Sequence, residues 1–210
     1  MRFYGYFRSS SAYRCRIAFN LKGLRPEFVP VNLRDKAHRS AEYLAANPQG
    51  LVPVLDTGEA KLAQSLAIIE WLDETHPEPA LLPADPTDKA QVRAFAQIIA
   101  CEVHPLQNLR VLNFIKENHG QDQAGADAWC RHWIAEGLTA CEAVAARGRG
   151  RFTFGDTPGL ADICLIPQMF SADRFGLDTA AYPRLREIRA ACEAMPEFTD
   201  AHPARQPDAQ

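Results

Sequence analysis

Residues 1–23 read MRFYGYFRSSSAYRCRIAFNLKG, and this stretch decides the fold. A short apolar run at residues 3–7 predicts a β-strand. A helical pattern over residues 12–22 follows and is predicted to stop at Gly23, because glycine commonly follows the last turn of a helix. Three consecutive serines separate the strand from the helix. Their hydroxyls and the free N–H groups of a helix start together predict a site for a thiolate or another anion.

Strand and helix patterns continue to alternate up to residue 75. Further strands are predicted at residues 27–32, 52–55 and 60–62, and further helices at residues 40–46 and 65–75. Ser65 is expected to cap the last of these helices. A βαβ unit followed by a short helix, a hairpin and a helix predicts a small α/β domain.

A proline-rich segment, residues 76–86, then interrupts the pattern with four prolines. Prolines cannot continue a helix, so this segment is predicted to link two domains, residues 1–83 and residues 89–210. The second domain is predicted to be all-helical, with a bend at Pro105 and an irregular tail from His202. Its predicted helices are residues 89–118, 127–146, 160–175 and 183–194.

The composition excludes several classes of function. The net charge of −3 leaves no basic excess for nucleic acid. No apolar stretch reaches membrane-spanning length, and the N-terminus lacks the pattern of a signal peptide. The six cysteines are scattered without a Cys-x-x-Cys pair, which is typical of free thiols in a reducing compartment. We therefore expect a cytoplasmic protein without a metal site and without nucleic-acid or membrane partners.

Two further features are suited to hold a short peptide. Pro53 lies inside a predicted strand, where proline removes a hydrogen-bond donor. A cis bond before it would leave the Val52 backbone free to pair with an extended peptide, whereas a trans bond would make it an ordinary edge-strand proline. Gln64 and Ser65 begin a predicted helix, where an amide, a hydroxyl and the helix dipole bind a carboxylate, although a plain N-cap has the same pattern.

Several short segments spread along the whole chain are informative when they are taken together, because they match the motifs of one known family. They are residues 6–10, 14–18, 47–53, 64–70, 81–83, 104–110, 155–156, 161–168, 182–183 and 205–208. This set resembles the zeta class of the glutathione transferase family. The resemblance implies an α/β thioredoxin-like N-terminal domain, an all-α C-terminal domain, a cis bond before Pro53 and a homodimer.

The resemblance also implies an enzyme with glutathione as cofactor and a small dicarboxylate as substrate. The expected reaction is the cis–trans isomerisation of maleylacetoacetate to fumarylacetoacetate by reversible addition of the glutathione thiolate. Maleylpyruvate as substrate and transferase chemistry on α-halo acids are alternatives that use the same thiolate. A glutathione-binding protein without catalysis is a further alternative, although a mere binder needs no carboxylate anchors beside the sulfur.

Residue roles follow from the motifs and from the resemblance. Ser9, supported by Ser10 and Ser11, is expected to donate hydrogen bonds to the glutathione sulfur, with Arg8 beside it. Spacing alone leaves open whether Ser9 only caps the helix while Ser10 or Ser11 activates the sulfur. The predicted glutathione-binding residues are Ser9, Ser11, His38, Gln49, Val52, Pro53, Gln64, Ser65, His104 and Asn108. The predicted substrate-binding residues are Arg8, Arg110 and Arg174, because arginine pairs bidentately with carboxylates.

Three positions depart from the zeta pattern. Ser11 stands where the class usually has cysteine, and Tyr13 where it often has tryptophan. A cysteine at the helix start is therefore not required for the expected chemistry, and thiol–disulfide exchange is the least expected activity. Gly159 replaces the usual Ser or Thr cap, but Asp162 can still accept a hydrogen bond from its N–H.

Overall fold

The computed structural model describes residues 1–209, which divide into two compact units. The first unit contains Met1–Leu81 and the chain from Ala194 onward, and the second is Leu82–Glu193. In chain order the strands and α-helices are β1 (Arg2–Gly5), α1 (Ser10–Leu21), β2 (Glu27–Pro30), α2 (Ala41–Ala46), β3 (Val54–Asp56), β4 (Lys61–Ala63), α3 (Ser65–Thr75), α4 (Pro86–Gln97), α5 (Leu109–His119), α6 (Gln123–Ala145), α7 (Leu160–Arg174), α8 (Pro183–Glu193) and α9 (Pro196–Thr199).

A four-stranded sheet in the order β2-β1-β3-β4 organises the first unit. β1 pairs in parallel with β2, so β1, α1 and β2 form the predicted βαβ unit, and β3 pairs antiparallel with both β1 and β4. Phe3 stands opposite Phe28 on one side and Leu55 on the other. Its ring meets Phe19 of α1 edge to face at 5.0 Å, which ties the helix to the sheet.

α1 begins two residues earlier than its predicted start and ends where glycine requires it. Ser9 is the N-cap, and its Oγ accepts the N–H of Ala12 at 3.2 Å. At the other end Gly23 has φ +66°, and the Leu24 N–H donates to Phe19 O at 2.8 Å. This pattern is a Schellman stop, so the predicted end at Gly23 is confirmed.

The chain from Ala194 onward differs from the expected arrangement, because it packs with the first unit and not with the helical one. It also contains α9, and a 3₁₀ turn, Pro203–Arg205, lies within the tail that was predicted to be irregular from His202. The buried Arg16 of α1 explains part of this difference: its Nε donates to Ala201 O at 2.9 Å, and a buried guanidinium requires such acceptors.

The second unit is helical, and the predicted bend at Pro105 is a full interruption. A π-helical turn, Ile98–Val103, and a 3₁₀ turn, His104–Gln107, separate α4 from α5. Asn108 then caps α5, its Oδ1 accepting the N–H of Arg110 at 3.2 Å. No helix within residues 1–209 is both long and apolar enough to cross a membrane.

The start of α7 carries the buried carboxylate of Asp162, which is 1% exposed. One oxygen accepts the N–H of Gly159 at 2.9 Å, as predicted, and the other accepts the Thr153 hydroxyl at 2.7 Å and the Thr153 N–H at 3.0 Å. The carboxylate therefore joins the preceding loop to the helix start by accepting the N-cap N–H, while Gly159 itself offers no side-chain acceptor.

We expect Asp162→Ala to lower the free energy of unfolding by about 3 kcal/mol, because three buried donors lose their acceptor. Urea unfolding followed by circular dichroism measures the loss. Asp122→Ala is the matched control: Asp122 caps α6 through one exposed bond to the Gly125 N–H, so about 1 kcal/mol is expected. Equal losses in the two variants would contradict the special role of Asp162.

Candidate active site

The serine cluster lies between β1 and α1. The Ser9 and Ser11 Oγ atoms are 3.1 Å apart, and the Ser11 hydroxyl donates to Val52 O at 3.1 Å. A serine hydroxyl has one proton, so Ser9 must be the donor in its contact with Ser11. Turning the Ser9 proton towards an incoming anion therefore breaks only its contact with Ser11 and leaves the bond from Ser11 to Val52 O intact. Ser10 lies buried in the first turn of α1.

The loop before β3 is held by two side chains that the sequence did not single out. The Leu51 carbonyl accepts the Tyr43 hydroxyl at 2.8 Å and Asn47 Nδ2 at 2.7 Å. The Val52–Pro53 bond that follows is cis, as the resemblance implied. Within residues 1–209 the Val52 N–H has no hydrogen-bond partner, whereas its carbonyl already accepts the Ser11 hydroxyl. The Val52 backbone is thus only partly free, with its N–H and one carbonyl lone pair left for a ligand.

The start of α3 differs from the prediction, since Gln64 and not Ser65 occupies the N-cap position. Gln64 has φ +72°, a region that residues other than glycine rarely adopt. Strained residues of this kind cluster at functional sites. Its Nε2 donates to Gln49 Oε1 at 2.8 Å, which brings two predicted glutathione-binding residues together.

Ser65 is buried and accepts a hydrogen bond from Arg14 Nη1 at 2.9 Å, so its oxygen is not a cap. Arg14 is 2% exposed, its Nε has no hydrogen-bond partner, and no carboxylate of residues 1–209 pairs with it. Because Ser65 receives a proton from Arg14, its own proton is available to an anion. An unpaired buried cation behind this hydroxyl favours that anion further. Sequence reasoning missed the role of Arg14; its signal was an arginine on a short helix, two positions before a second arginine, among mainly apolar residues.

His38 and Arg8 are the other predicted site residues of the first unit. Burial, with Arg39 as a second cause, lowers the pKa of His38, so its imidazole is neutral near pH 7. Its Nδ1 is buried without a hydrogen-bond partner. Arg8 is half-buried, with its guanidinium 5.9 Å from the Phe7 ring centroid, and no carboxylate among the described residues pairs with it.

The remaining predicted site residues belong to the second unit, and their roles stay predictions. His104 lies in the 3₁₀ turn, Asn108 caps α5, and Arg110 is exposed in its first turn. Arg174 ends α7 with its guanidinium 4.4 Å from the Phe175 ring centroid. Within residues 1–209 no group of three His, Cys, Asp or Glu side chains is placed to hold a metal ion.

We expect Ser65→Ala to raise the dissociation constant of glutathione about tenfold, because a carboxylate loses a hydroxyl donor at the start of α3. Isothermal titration calorimetry measures this change. The variant should also lose stability, since Arg14 loses its partner. Asp85→Ala separates the two effects: Asp85 caps α4 in the second unit, so this control should lose stability while binding glutathione normally. Unchanged affinity in Ser65→Ala would remove Ser65 from the site.

The sequence of this chain matches those of a known protein family. Residues 3–80 match the model of the glutathione S-transferase N-terminal domain, and residues 123–191 match the model of its C-terminal domain. A maleylacetoacetate isomerase of Pseudomonas aeruginosa is 47% identical over 99% of this chain and 98% of its own.

Solved structures agree with these matches. A holo maleylpyruvate isomerase, described as a bacterial glutathione S-transferase of the zeta class, is 48% identical, with a TM-score of 0.98 over 100% of both chains. A maleylacetoacetate isomerase from Anaeromyxobacter dehalogenans with glutathione in its active site is 46% identical, with a TM-score of 0.90 over 100% of this chain and 97% of that one. The predicted fold class is therefore confirmed, and this chain belongs to the zeta class of the glutathione S-transferase family.

Proposed function

We propose that the protein is a glutathione-dependent cis–trans isomerase that converts maleylacetoacetate to fumarylacetoacetate. The observation that carries the proposal is the Ser9 hydroxyl at the start of α1, whose proton contacts the neighbouring Ser11 oxygen and can turn to a ligand without breaking the Ser11–Val52 bond. It lies in a chain that is nearly half identical to isomerases of this kind. A hydroxyl at a helix N-terminus is suited to stabilise a thiolate, through a hydrogen bond and through the helix dipole.

Glutathione fits the polar groups that the first unit leaves without partners. The Val52 N–H and the remaining carbonyl lone pair can pair with the extended backbone of a short peptide. The Ser65 hydroxyl, backed by the buried Arg14, suits the carboxylate of the γ-glutamyl end. Gln49, Gln64 and the neutral His38 add polar atoms to the same unit.

The reaction requires a double bond to become single for a moment, and bound glutathione supplies the thiolate that adds to it and is later expelled. Ser9 donates a hydrogen bond to the sulfur and keeps it ionised between turnovers. Arg8 holds a substrate carboxylate through its fork of N–H donors, which no carboxylate of the described chain occupies. Ser11 fixes the distance between the serine cluster and Val52. The polypeptide itself forms no covalent bond to the substrate in this scheme.

The test compares kcat/KM for maleylacetoacetate and maleylpyruvate, each with and without glutathione. We expect turnover to require glutathione and the value for maleylacetoacetate to be the higher one. Turnover without glutathione would overturn the cofactor mechanism. A higher value for maleylpyruvate would establish the second candidate function, which the 48% identity to the holo maleylpyruvate isomerase favours. Activity only on α-halo acids would make the protein a transferase.

A cytoplasmic location and a homodimer complete the proposal. All six cysteines are free thiols, which supports a reducing compartment. The homodimer rests on the family resemblance alone. Size-exclusion chromatography with light scattering tests the homodimer, and fluorescence microscopy of a tagged chain tests the location.

A further inference from the structure

The C-terminal tail, residues 194–209, runs antiparallel to α1 towards the serine cluster. Three hydrogen bonds trace this path: Asn20 Nδ2 to Glu197 O (2.8 Å), Arg16 Nε to Ala201 O (2.9 Å) and the Phe7 N–H to Asp208 Oδ2 (2.9 Å). A ring contact at 6.1 Å between Tyr13 and His202 lies along the same path. Later residues of the tail contact earlier residues of the chain, and the last contact is with Phe7, which immediately precedes Arg8 and Ser9.

The backbone of Phe7 is held on both sides. Its N–H donates to the Asp208 carboxylate at 2.9 Å, and its carbonyl accepts Arg16 Nη2 at 3.0 Å. Arg16 is 6% exposed, and the two charged groups attract each other. Burying a carboxylate or a guanidinium costs free energy, and here the side chains of Asp208 and Arg16 each form a hydrogen bond to the backbone of Phe7. An opposed pair of charge-assisted hydrogen bonds fixes a backbone segment more firmly than a neutral pair.

The tail has internal bonds that hold it in this shape. Gln206 Nε2 donates to Asp200 O at 2.9 Å and to His202 O at 3.0 Å. Arg205 and Asp200 also pair at 2.7 Å, but both side chains are exposed, so this pair contributes little to the shape of the tail. The second Asp208 oxygen is buried without a hydrogen-bond partner. A flexible polar tail would turn such an oxygen to water, so this carboxylate is held in place by the packing around it.

We propose that Asp208 is a positioning residue for the sulfur site: it fixes the Phe7 backbone and thereby the direction in which Ser9 presents its proton. This inference rests on the proposed function of Ser9. Asp208 acts through geometry and not through charge, because a negative charge near a thiolate would oppose ionisation of the thiol. A displacement of about 1 Å in a catalytic group can cost about 100-fold in rate, so a fixed loop matters here.

Three variants of the full-length protein test the proposal. Asp208→Ala removes the acceptor, Asp208→Asn keeps an acceptor but removes the charge, and Asp200→Ala removes another acidic side chain of the same tail. The Asp200 carboxylate is 59% exposed, and within residues 1–209 it pairs with the exposed Arg205 alone, which makes it a matched control. Two quantities are measured: the ultraviolet titration of the bound glutathione thiol, and hydrogen exchange of the Ser9 and Ala12 amides without any ligand. In the intact protein the Ser9 N–H donates to Tyr6 O and the Ala12 N–H to Ser9 Oγ.

In Asp208→Ala we expect faster exchange at Ser9 and Ala12, a higher pKa of the bound thiol, and a kcat lower by about 10- to 100-fold with KM for glutathione little changed. Asp200→Ala should remain close to the intact protein in all of these, whereas Asp208→Asn, which keeps an acceptor without the charge, should show intermediate exchange rates and no increase in the pKa of the bound thiol. Unchanged exchange at Ser9 and Ala12 in Asp208→Ala would overturn the positioning role, whether or not the protein is an isomerase. If exchange rises and the intact protein does not ionise glutathione, the proposed function fails and the role of the tail in shaping the loop stands.

Discussion

Ser9→Ala should lower kcat of the isomerisation by about 100- to 1000-fold, the usual cost of removing one donor from a developing or stored anion. In the structure the Ser11 proton is committed to Val52 O, so of these two serines Ser9 is the one that can direct its proton to the sulfur while the Ser11–Val52 bond stays intact. Stopped-flow assays at saturating glutathione and ultraviolet titration of the bound thiol measure the loss. The thiol pKa should rise in the variant.

Ser9 also caps α1, and this second role needs its own control. Loss of the cap alone costs about 1 kcal/mol of stability. Ser9→Thr keeps both the cap and the proton and should retain most of the activity, whereas Ser9→Asp keeps a capping oxygen but places a charge where the thiolate forms and should be inactive. Ser11→Ala should lose about tenfold or less, because Ser9 keeps its proton. A rate in Ser9→Ala equal to that of the intact protein would move sulfur activation to another serine.

Arg8→Met should lower kcat/KM for the dicarboxylate about 100-fold while leaving glutathione affinity unchanged. The guanidinium stands next to Ser9 in the chain, is half-buried, and has no carboxylate partner among the described residues. Methionine keeps an unbranched apolar stem and removes the guanidinium, so the loss measures the missing N–H donors together with the guanidinium contact to the Phe7 ring. Steady-state kinetics and calorimetric titration with glutathione separate the two effects.

Two further variants sharpen the test of Arg8. Arg8→Lys keeps the charge but not the bidentate geometry and should fall between the intact protein and Arg8→Met. Arg25→Met is the control, since Arg25 is exposed in the same unit and its hydrogen bonds within the described part of the chain go to Asn20 and Leu24. A weaker affinity for glutathione in Arg8→Met, with kcat unaffected, would assign Arg8 to the cofactor instead of the substrate.

The alternation of strands and helices in the first unit was predictable because its signals are local. The apolar run of β1, the helical spacing of α1 and the stop at Gly23 each depend on residues within one or two turns. The capping of α7 by Asp162 follows from a spacing of three residues in the same way. Local patterns of this kind survive folding because no distant group competes for the same atoms.

Ser65 and the tail show where local reasoning fails. A hydroxyl before an apolar run is typical of an N-cap, yet the Ser65 oxygen is taken by Arg14, which lies 51 positions earlier in the chain. The tail has no apolar period, and its position depends in part on the need of the buried Arg16 for carbonyl acceptors and on burial of the Phe198 ring. Which of Ser9 and Ser11 has its hydroxyl proton available likewise depends on a distant group, the Val52 carbonyl, which accepts the Ser11 proton. The serines could be named from the sequence, but their order of importance could not.

The low reactivity of two buried thiols, Cys130 and Cys141, bears on how such an enzyme resists chemical damage. Burial raises the pKa of Cys130 to about 11 and that of Cys141 to about 12, so neither is a ready nucleophile at neutral pH. The reactive sulfur is instead carried by a diffusible tripeptide. When an oxidant or an alkylating metabolite destroys that sulfur, the spoiled molecule can leave and a fresh one take its place. Oxidative or alkylating damage to the reactive sulfur therefore inactivates a glutathione molecule, which the cell replaces, and not the polypeptide.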